Sequence, residues 1–368
     1  VGNRKVTILC SGFGLGFYIP GLILDYQLNK REVETEVLVF ENYITEDKKN
    51  KINGSRQTYH ANFKAALLSA RMPSDIRDSL ALDEVAGLIE QWKLEKRQHF
   101  IVLSGHWVYL LDQLRAQVDY SLNVHLLYVD SDRSPSWSSL LKYNPDYVQH
   151  YREVWLYDSN KQQLNYRIDV SEQPIIPYLE RSDRYVIHGG GWGMGTYQGK
   201  IPELQEAGLQ LDVVAYELHE TNVNAPNIRY YMNDPAWNAW SRGENGGHQL
   251  PPFSEITAGV EPHYTSKLEH HRLYDVIKGA RGVISKPGAG SLMDALSSAT
   301  PIILLDAFGK HEQRNAGLWL AYGLGITYED WQKSGYSTEM LEPIHHKLIQ
   351  QKKVCKNYTD YFMEETYG

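Results

Sequence analysis

An α/β fold made of two parallel-sheet halves is what the sequence predicts, on three observations. Strand-like apolar runs alternate with helix-like amphipathic segments twice over, the pattern of a parallel sheet covered on both faces. A glycine-rich turn follows the first strand of each round. The length of 368 residues also suits two hydrophobic cores better than one. Each half therefore reads as a Rossmann-like domain, the first spanning 1–168 and the second 169–368.

The elements follow in order. Lys5–Cys10 (KVTILC) is a continuous apolar run, the mark of a strand buried on both faces. Ser11–Gly16 makes the first glycine turn, and an apolar helix is expected from Tyr18 to Leu28. Val33–Phe40 alternates as a strand, and Thr58–Ala70 and Leu80–Leu94 carry helical periodicity. His99–Leu103 and Val124–Val129 are further strands, and Arg152–Tyr157 closes the half. Residues 168–184 carry two prolines and no period, and read as the linker. The second round opens with Tyr185–His188, a glycine loop, a helix near Gly199–Ala207 and strands at Leu211–Ala215 and Asn227–Tyr231. Asp234–Pro262 is rich in Gly, Asn, Pro and Trp and reads as a long loop, of a length usually kept for function. Arg272–Lys278 and Thr338–Phe362 read as helices.

Composition excludes several classes of function. A net charge of −8 with only short basic runs (Lys48–Lys51, Lys93–Arg97, Lys352–Lys356) argues against nucleic acid as a partner. No apolar stretch approaches the ~20 residues of a membrane span, and no signal peptide or transmembrane segment is expected. Cys10 and Cys355 lie too far apart to show a disulfide framework or ligand spacing, so a reduced, cytoplasmic protein is expected. The 26 Tyr and 9 Trp against 8 Phe favour rings with a polar tip, which suit both cores and pockets that stack flat ligands.

Chemistry concentrates between Gly282 and Ala316. Val283–Ile284 is strand-like and stops at Lys286–Pro287; the turn Gly288–Ala289–Gly290–Ser291 follows and opens a helix carrying Asp294. Glycines let the backbone approach an anion, and free N–H groups at a helix start favour a phosphate. A second strand, Pro301–Leu305, leads into a loop His311–Glu312–Gln313–Arg314–Asn315 whose acid and amide groups could accept hydrogen bonds from sugar hydroxyls. A pyrophosphate site beside hydroxyl acceptors describes a nucleotide-sugar site. The loop His188–Gly195 adds glycines at 189, 190, 191, 193 and 195, with Trp192 among them, where the backbone passes close to something. A dinucleotide fingerprint is the competing reading of these glycines, but no acidic partner stands at the required distance.

The spacing resembles a family. An acid six places after Gly288 (Asp294), a proline seven further on (Pro301) and an acid–Gln–x–Asn–Ala run (Glu312 to Ala316) are similar to the donor signature of inverting glycosyltransferases of the GT-B fold. These include the peptidoglycan N-acetylglucosaminyltransferase and the macrolide and plant UDP-sugar transferases. The resemblance implies a GT-B architecture, a UDP-linked sugar donor as co-substrate, no other cofactor and no metal. It assigns the diphosphate to Gly288, Ala289, Gly290 and Ser291, the ribose to Asp294 and the donor sugar to Glu312 and Gln313. Gly190, Gly191 and Trp192 of the glycine loop, Lys286, and Gly14 and Gly16 of the first turn join the donor set. The C-terminal helix would pack back on the first domain. Two departures stand out: Asp294 replaces the usual Glu, and Phe17 stands where the family carries its general-base histidine.

A base must then come from elsewhere. His106, in the loop after His99–Leu103, and Asp130 and Asp132, after Val124–Val129, are the candidates, with His60 behind them. Asp130–Ser131–Asp132 also matches the metal-binding triplet of GT-A glycosyltransferases, a reading that leaves Gly282–Ala316 unexplained. The pairs His270–His271 and His345–His346 are neighbours in sequence and so do not share a helix face, which argues against a metal there. The expectation is an inverting, metal-independent glycosyltransferase acting on a small-molecule acceptor such as a natural product. A nucleotide-sugar epimerase or hydrolase of the same fold is the alternative, and a sugar-nucleotide-binding accessory protein a third.

Overall fold

The computed structural model describes residues 5–69, 75–243 and 246–368. Strands β1 (Val6–Cys10), β2 (Thr35–Val39), β3 (His99–Val102), β4 (Asn123–Tyr128) and β5 (Arg152–Trp155) form an all-parallel sheet in the order β2-β1-β3-β4-β5. Helices α1 (Leu15–Asn29), α2 (Glu46–Ala61), α3 (Phe63–Ser69), α4 (Leu82–Leu94), α5 (Val108–Arg115) and α6 (Pro135–Tyr143) connect them. Every residue of β1 is buried, as a strand covered on both faces requires. α1 lies so close to it that a Cβ at Gly21 would come within 2.0 Å of the Cys10 sulfur. Short ladders follow: β6 (Tyr157–Asp158) pairs with β7 (Gln163–Leu164), and β8 (Tyr166–Arg167) pairs with a strand near the C-terminus.

The second sheet contains β9 (Ser182–His188), β10 (Gln210–Ala215), β11 (Ile228–Asn233), β12 (Phe253–Ile256), β13 (Ala280–Ser285), β14 (Ile302–Leu304) and β15 (Gly325–Thr327). Its order is β12-β11-β10-β9-β13-β14-β15, parallel except for β12, which runs antiparallel to β11. Helices α7 (Ile201–Glu206), α8 (Leu273–Gly279), α9 (Ala289–Ser298), α10 (Gly309–Tyr322) and α11 (Tyr328–Lys333) cover it. The chain ends with α12 (Glu342–Val354), β16 (Lys356–Asn357), which pairs with β8, and α13 (Tyr358–Tyr367). α13 returns to the first half: Arg31 pairs with Asp360 at 2.6 Å, and Tyr358 meets His125 at 3.2 Å.

Several segments differ from the sequence expectation, each for a physical reason. α2 starts twelve residues before Thr58. Its only wholly buried residue is Ile52, so no apolar stripe marked it, and Lys49–Glu46 and Lys51–Asp47 pairs one turn apart support it instead. The expected end of the next helix, Ala70, lies outside the described residues. The expected linker already contains the first residues of β9, and the expected loop 234–262 contains β12. The cluster from His311 to Asn315 is the first turns of α10 rather than a loop. The long C-terminal helix is two helices, interrupted where β16 pairs with β8. No helix among the described residues is long and apolar enough to cross a membrane.

Topology sets where a ligand belongs. In an open parallel sheet the crevice lies outside the carboxyl ends of the strands, where the strand order reverses. Those points are β1/β3 in the first sheet and β9/β13 in the second. The turns that follow all four strands line one shared cleft of about 410 Å³.

Candidate active site

That volume lies within the roughly 300–1,000 Å³ of small-molecule sites. The glycine loop after β9 forms one wall. A Cβ at Gly191 would sit 2.4 Å from the Leu15 side chain, and Gly193, at φ +57°, would put one 2.7 Å from His60 Nδ1. Only residues without a side chain let this loop lie against the first half. Trp192 is buried beside it, stacked on Tyr59 at 5.9 Å and tilted on Phe13 at 4.5 Å, with the Arg56 guanidinium 5.2 Å from its ring.

The turn after β13 forms the floor of the second half. Gly288 caps α9, so the N–H groups of Ala289, Gly290 and Ser291 lack partners within the helix, and all three residues line the cleft. Asp294, one turn further along, is buried and accepts a hydrogen bond from His271 Nε2 at 2.9 Å. Lys286 forms an ion pair with Glu312 Oε1, and Glu312 Oε2 accepts the Phe308 N–H at 2.6 Å. Glu312 therefore holds both the start of α10 and the lysine beside the turn after β13. Gln313 is exposed and does not line the cleft, because neighbours on a helix point about 100° apart.

His188, at the end of β9, is buried and lines the same floor. Gly190 N–H donates to its Nδ1 at 3.1 Å, and burial, with Lys286 and His271 nearby, depresses its pKa to about 3. Its Nε2 finds no hydrogen-bond partner among the described residues.

The first half supplies an apolar wall and several polar groups. Phe17, in the first turn of α1, lines the cleft, as do Gly14 and Gly16. Lys48, Lys51, Ile52, Ser55 and Tyr59 recur at helical spacing, so one face of α2 looks into the cleft. His106 lies against the Phe40 ring at 5.2 Å, and burial with Lys48 nearby lowers its pKa to about 4. Glu41 is buried and accepts the Gly12 N–H at 2.6 Å and the Ser11 hydroxyl at 2.8 Å, fixing the first glycine turn.

Asp130, at the end of β4, stands at the seam between the halves. Asn315 of α10 donates to its Oδ1 at 2.8 Å and to Pro287 O at 2.9 Å, and accepts the Ser131 N–H at 2.7 Å. Burial pushes the Asp130 carboxyl above its ordinary pKa, against the pull of His311 and the Asn315 bond. Asp132 is not part of the cleft lining; its nearest cation is Lys310 at 3.7 Å. His60 faces Gly193 O through Nδ1 at 2.8 Å and Glu220 through Nε2, so it ties α2 to the second half. His270 and His271 turn to different partners, Asp275 and Asp294.

The structure thus brings His106, Asp130, Lys286, Asp294, Glu312 and residues from all three glycine turns to one cleft, and leaves Asp132 and Gln313 outside it. Glu41 was not singled out in sequence, His188 entered only as the start of the glycine loop, and His271 only in a histidine pair read as unable to share a metal. His271 meets Asp294 across 23 positions, a separation that leaves no local pattern.

Chains of known structure share this fold. Spinosyn rhamnosyltransferase SpnG aligns over 99% of this chain and 100% of its own, with a TM-score of 0.58 at 13% identity. The Streptomyces sp. SF2575 glycosyltransferase SsfS6 complexed with thymidine diphosphate aligns over 99% and 100%, with a TM-score of 0.55 at 11% identity. MurG of Acinetobacter baumannii covers 98% of both chains, with a TM-score of 0.50 at 11% identity. No protein-family model matches the chain, and no curated protein matches it by sequence. At such identities the likeness is one of fold: the chain has the GT-B fold, two Rossmann-like domains facing a central cleft.

Proposed function

We propose that the protein is an inverting, metal-independent glycosyltransferase that moves a sugar from a UDP-linked donor to a small-molecule acceptor. The observation that carries this reading is the convergence in one cleft of a phosphate-type helix start, a cation and a buried carboxylate on one side and an aromatic wall on the other. SpnG and SsfS6 have each been solved complexed with thymidine diphosphate, which supports a pyrimidine nucleoside diphosphate as leaving group.

In this reading the donor diphosphate lies on the N–H groups of Ala289–Ser291, with the glycine loop above and Lys286 beside it. These groups meet the charge that develops on the diphosphate as the glycosidic bond breaks. Lys286 and the α9 dipole supply the positive field that a metal ion would otherwise provide. Asp294, oriented by His271, accepts a ribose hydroxyl. Glu312 fixes Lys286 in place and presents its remaining lone pairs toward the sugar. The acceptor lies against Phe17, Tyr59 and Trp192. Asp130 takes the proton from its hydroxyl: it is beside the donor turn, and its raised pKa makes it a better base than an ordinary carboxylate. His106 is neutral at ordinary pH and orients the acceptor. Attack on the face opposite the leaving diphosphate inverts the anomeric centre.

Incubation with UDP- and dTDP-sugars, followed by NMR, tests the reading. Transfer to an aromatic hydroxyl acceptor, resistant to EDTA and with inverted anomeric configuration, is expected. Enzyme-like nucleotide release or sugar epimerisation with no acceptor present would replace it with the hydrolase or epimerase alternative.

A further inference from the structure

The side chain of His188 is a buried polar group of the cleft floor that the reaction described above leaves unused. Its backbone closes β9, in register with Ser285 of β13. Its side chain therefore lies between the glycine loop that follows β9 and the turn that follows β13. The two loops are close: a Cβ on Gly190 would stand 3.6 Å from Lys286 Cε. An anion held by both loops would lie beside this imidazole.

Hydrogen bonding fixes the tautomer. Gly190 N–H donates to Nδ1, so that nitrogen carries no proton, and the neutral ring bears its hydrogen on Nε2. This N–H is buried, 4% of the residue is exposed, and it has no acceptor among the described residues. A buried donor without an acceptor costs free energy, and the cost is recovered when an acceptor arrives. The surroundings also select the acceptor's charge. Lys286 and His271 lie close enough to oppose a proton on this ring, and the Lys286 ammonium attracts an anion. The histidine is thus a donor that brings no charge of its own, next to a lysine that brings a full one.

We propose that His188 is a catalytic residue whose neutral Nε2–H donates to a diphosphate oxygen of the nucleotide-sugar donor and holds it as the glycosidic bond breaks. This rests on the glycosyltransferase reading and adds a residue to it. Because the ring is neutral on both sides of the reaction, its hydrogen bond is made without a proton changing hands, and donor binding by it is the same at pH 5 and pH 8. A histidine charged at pH 5 would instead bind UDP more tightly in acid.

The test uses the full chain with ¹⁵N-labelled histidine and UDP, with uridine as the control lacking phosphates. The His188 resonances are expected to keep the Nε2–H neutral pattern from pH 5 to pH 8, and the Nε2 signal to move on adding UDP but not uridine. His188→Leu is expected to weaken UDP binding about tenfold while uridine affinity is unchanged. His188→Gln, which offers an N–H of similar reach, is expected to recover most of the loss, with thermal melts reporting that each variant is folded. Titration of His188 near pH 6.5, an Nε2 signal indifferent to UDP, or equal losses for UDP and uridine in His188→Leu would each overturn the proposal. A folded His188→Leu that binds UDP like the parent chain removes His188 alone; a parent chain that fails to bind UDP removes the glycosyltransferase reading with it.

Discussion

Replacing His60 by Ala should loosen the two halves of the molecule, and by an amount that depends on pH. Nδ1 faces the Gly193 carbonyl at 2.8 Å and Nε2 faces the Glu220 carboxylate, two groups that only accept. Both ring nitrogens must therefore carry hydrogen, which makes His60 an imidazolium. Burial is the largest single influence and opposes this charge, but the Glu220 and Gly193 bonds and the nearby Glu220 and Glu217 charges together outweigh it and raise the pKa above the ordinary 6.5. Glu220 is pulled from 4.5 down to about 2: burial raises it, and the His60 bond and the Tyr216 and Glu217 N–H groups more than reverse that. Hydrogen bonds to charged groups contribute about 1.5–3 kcal/mol each. Stranding a buried charge would cost about 3–5 kcal/mol, but Glu220 keeps donors from Gln198, Tyr216 and Glu217 when the histidine is gone. The two lost bonds, less the cost of burying the imidazolium, give about 2–4 kcal/mol. The sign follows from the two shifts. The histidine's share is complete below pH 6.5 and is lost as pH rises through its raised pKa. The glutamate's share is complete above 4.5 and is lost only as pH falls toward 2. Thermal melts of the parent chain and His60→Ala from pH 5 to 9 should therefore differ by several degrees near pH 5.5 and by clearly less in alkali, where the neutral ring keeps a single N–H. A gap of the same size at pH 9 would refute the imidazolium, and with it the idea that this contact is an ion pair.

Three further outcomes are expected. Asp294→Asn, which can still accept from His271, should keep the melting temperature within two degrees or so and weaken UDP binding about tenfold; an unchanged Kd would remove the ribose role. Asp130→Asn should lower kcat by about 10²–10⁴-fold with UDP affinity nearly intact, and the acid limb of the parent's pH profile should lie above that of an ordinary carboxylate; full activity would pass the base to His106. Lys286→Met should destabilise the chain by about 3 kcal/mol by leaving Glu312 buried without its cation. Adding Glu312→Gln should restore the melting temperature but not UDP affinity, and recovery of both would make the pair purely structural.

Much of the second half was legible because its signals are local. Val283–Ile284, Gly288–Ser291 and Asp294 lie within a dozen residues, and strand, turn and helix follow from periodicity and glycine alone. The first sheet was legible for the same reason, since each buried parallel strand is a continuous apolar run. α2 was harder: its outer faces are charged, and the face it turns to the cleft mixes Lys48 and Ser55 with Ile52 and Tyr59, so no apolar stripe announces it. α10 was hidden by the polar character of His311–Asn315, whose buried members Glu312 and Asn315 are held by Lys286 and Asp130, partners more than 25 residues away.

The sequence by itself determined the two-sheet α/β architecture, the glycine turn Gly288–Ser291 that opens α9 and the phenylalanine at position 17, because each is written in neighbouring residues. Only the tertiary structure decided which polar groups meet. It paired His271 with Asp294 and His60 with Glu220, joined Asn315 to Asp130 across the seam, and turned Gln313 and Asp132 away from the cleft. Contacts between groups tens to hundreds of residues apart are set by how strand ends and helix faces are brought together, and a buried charge or hydrogen bond survives only where that packing supplies its partner.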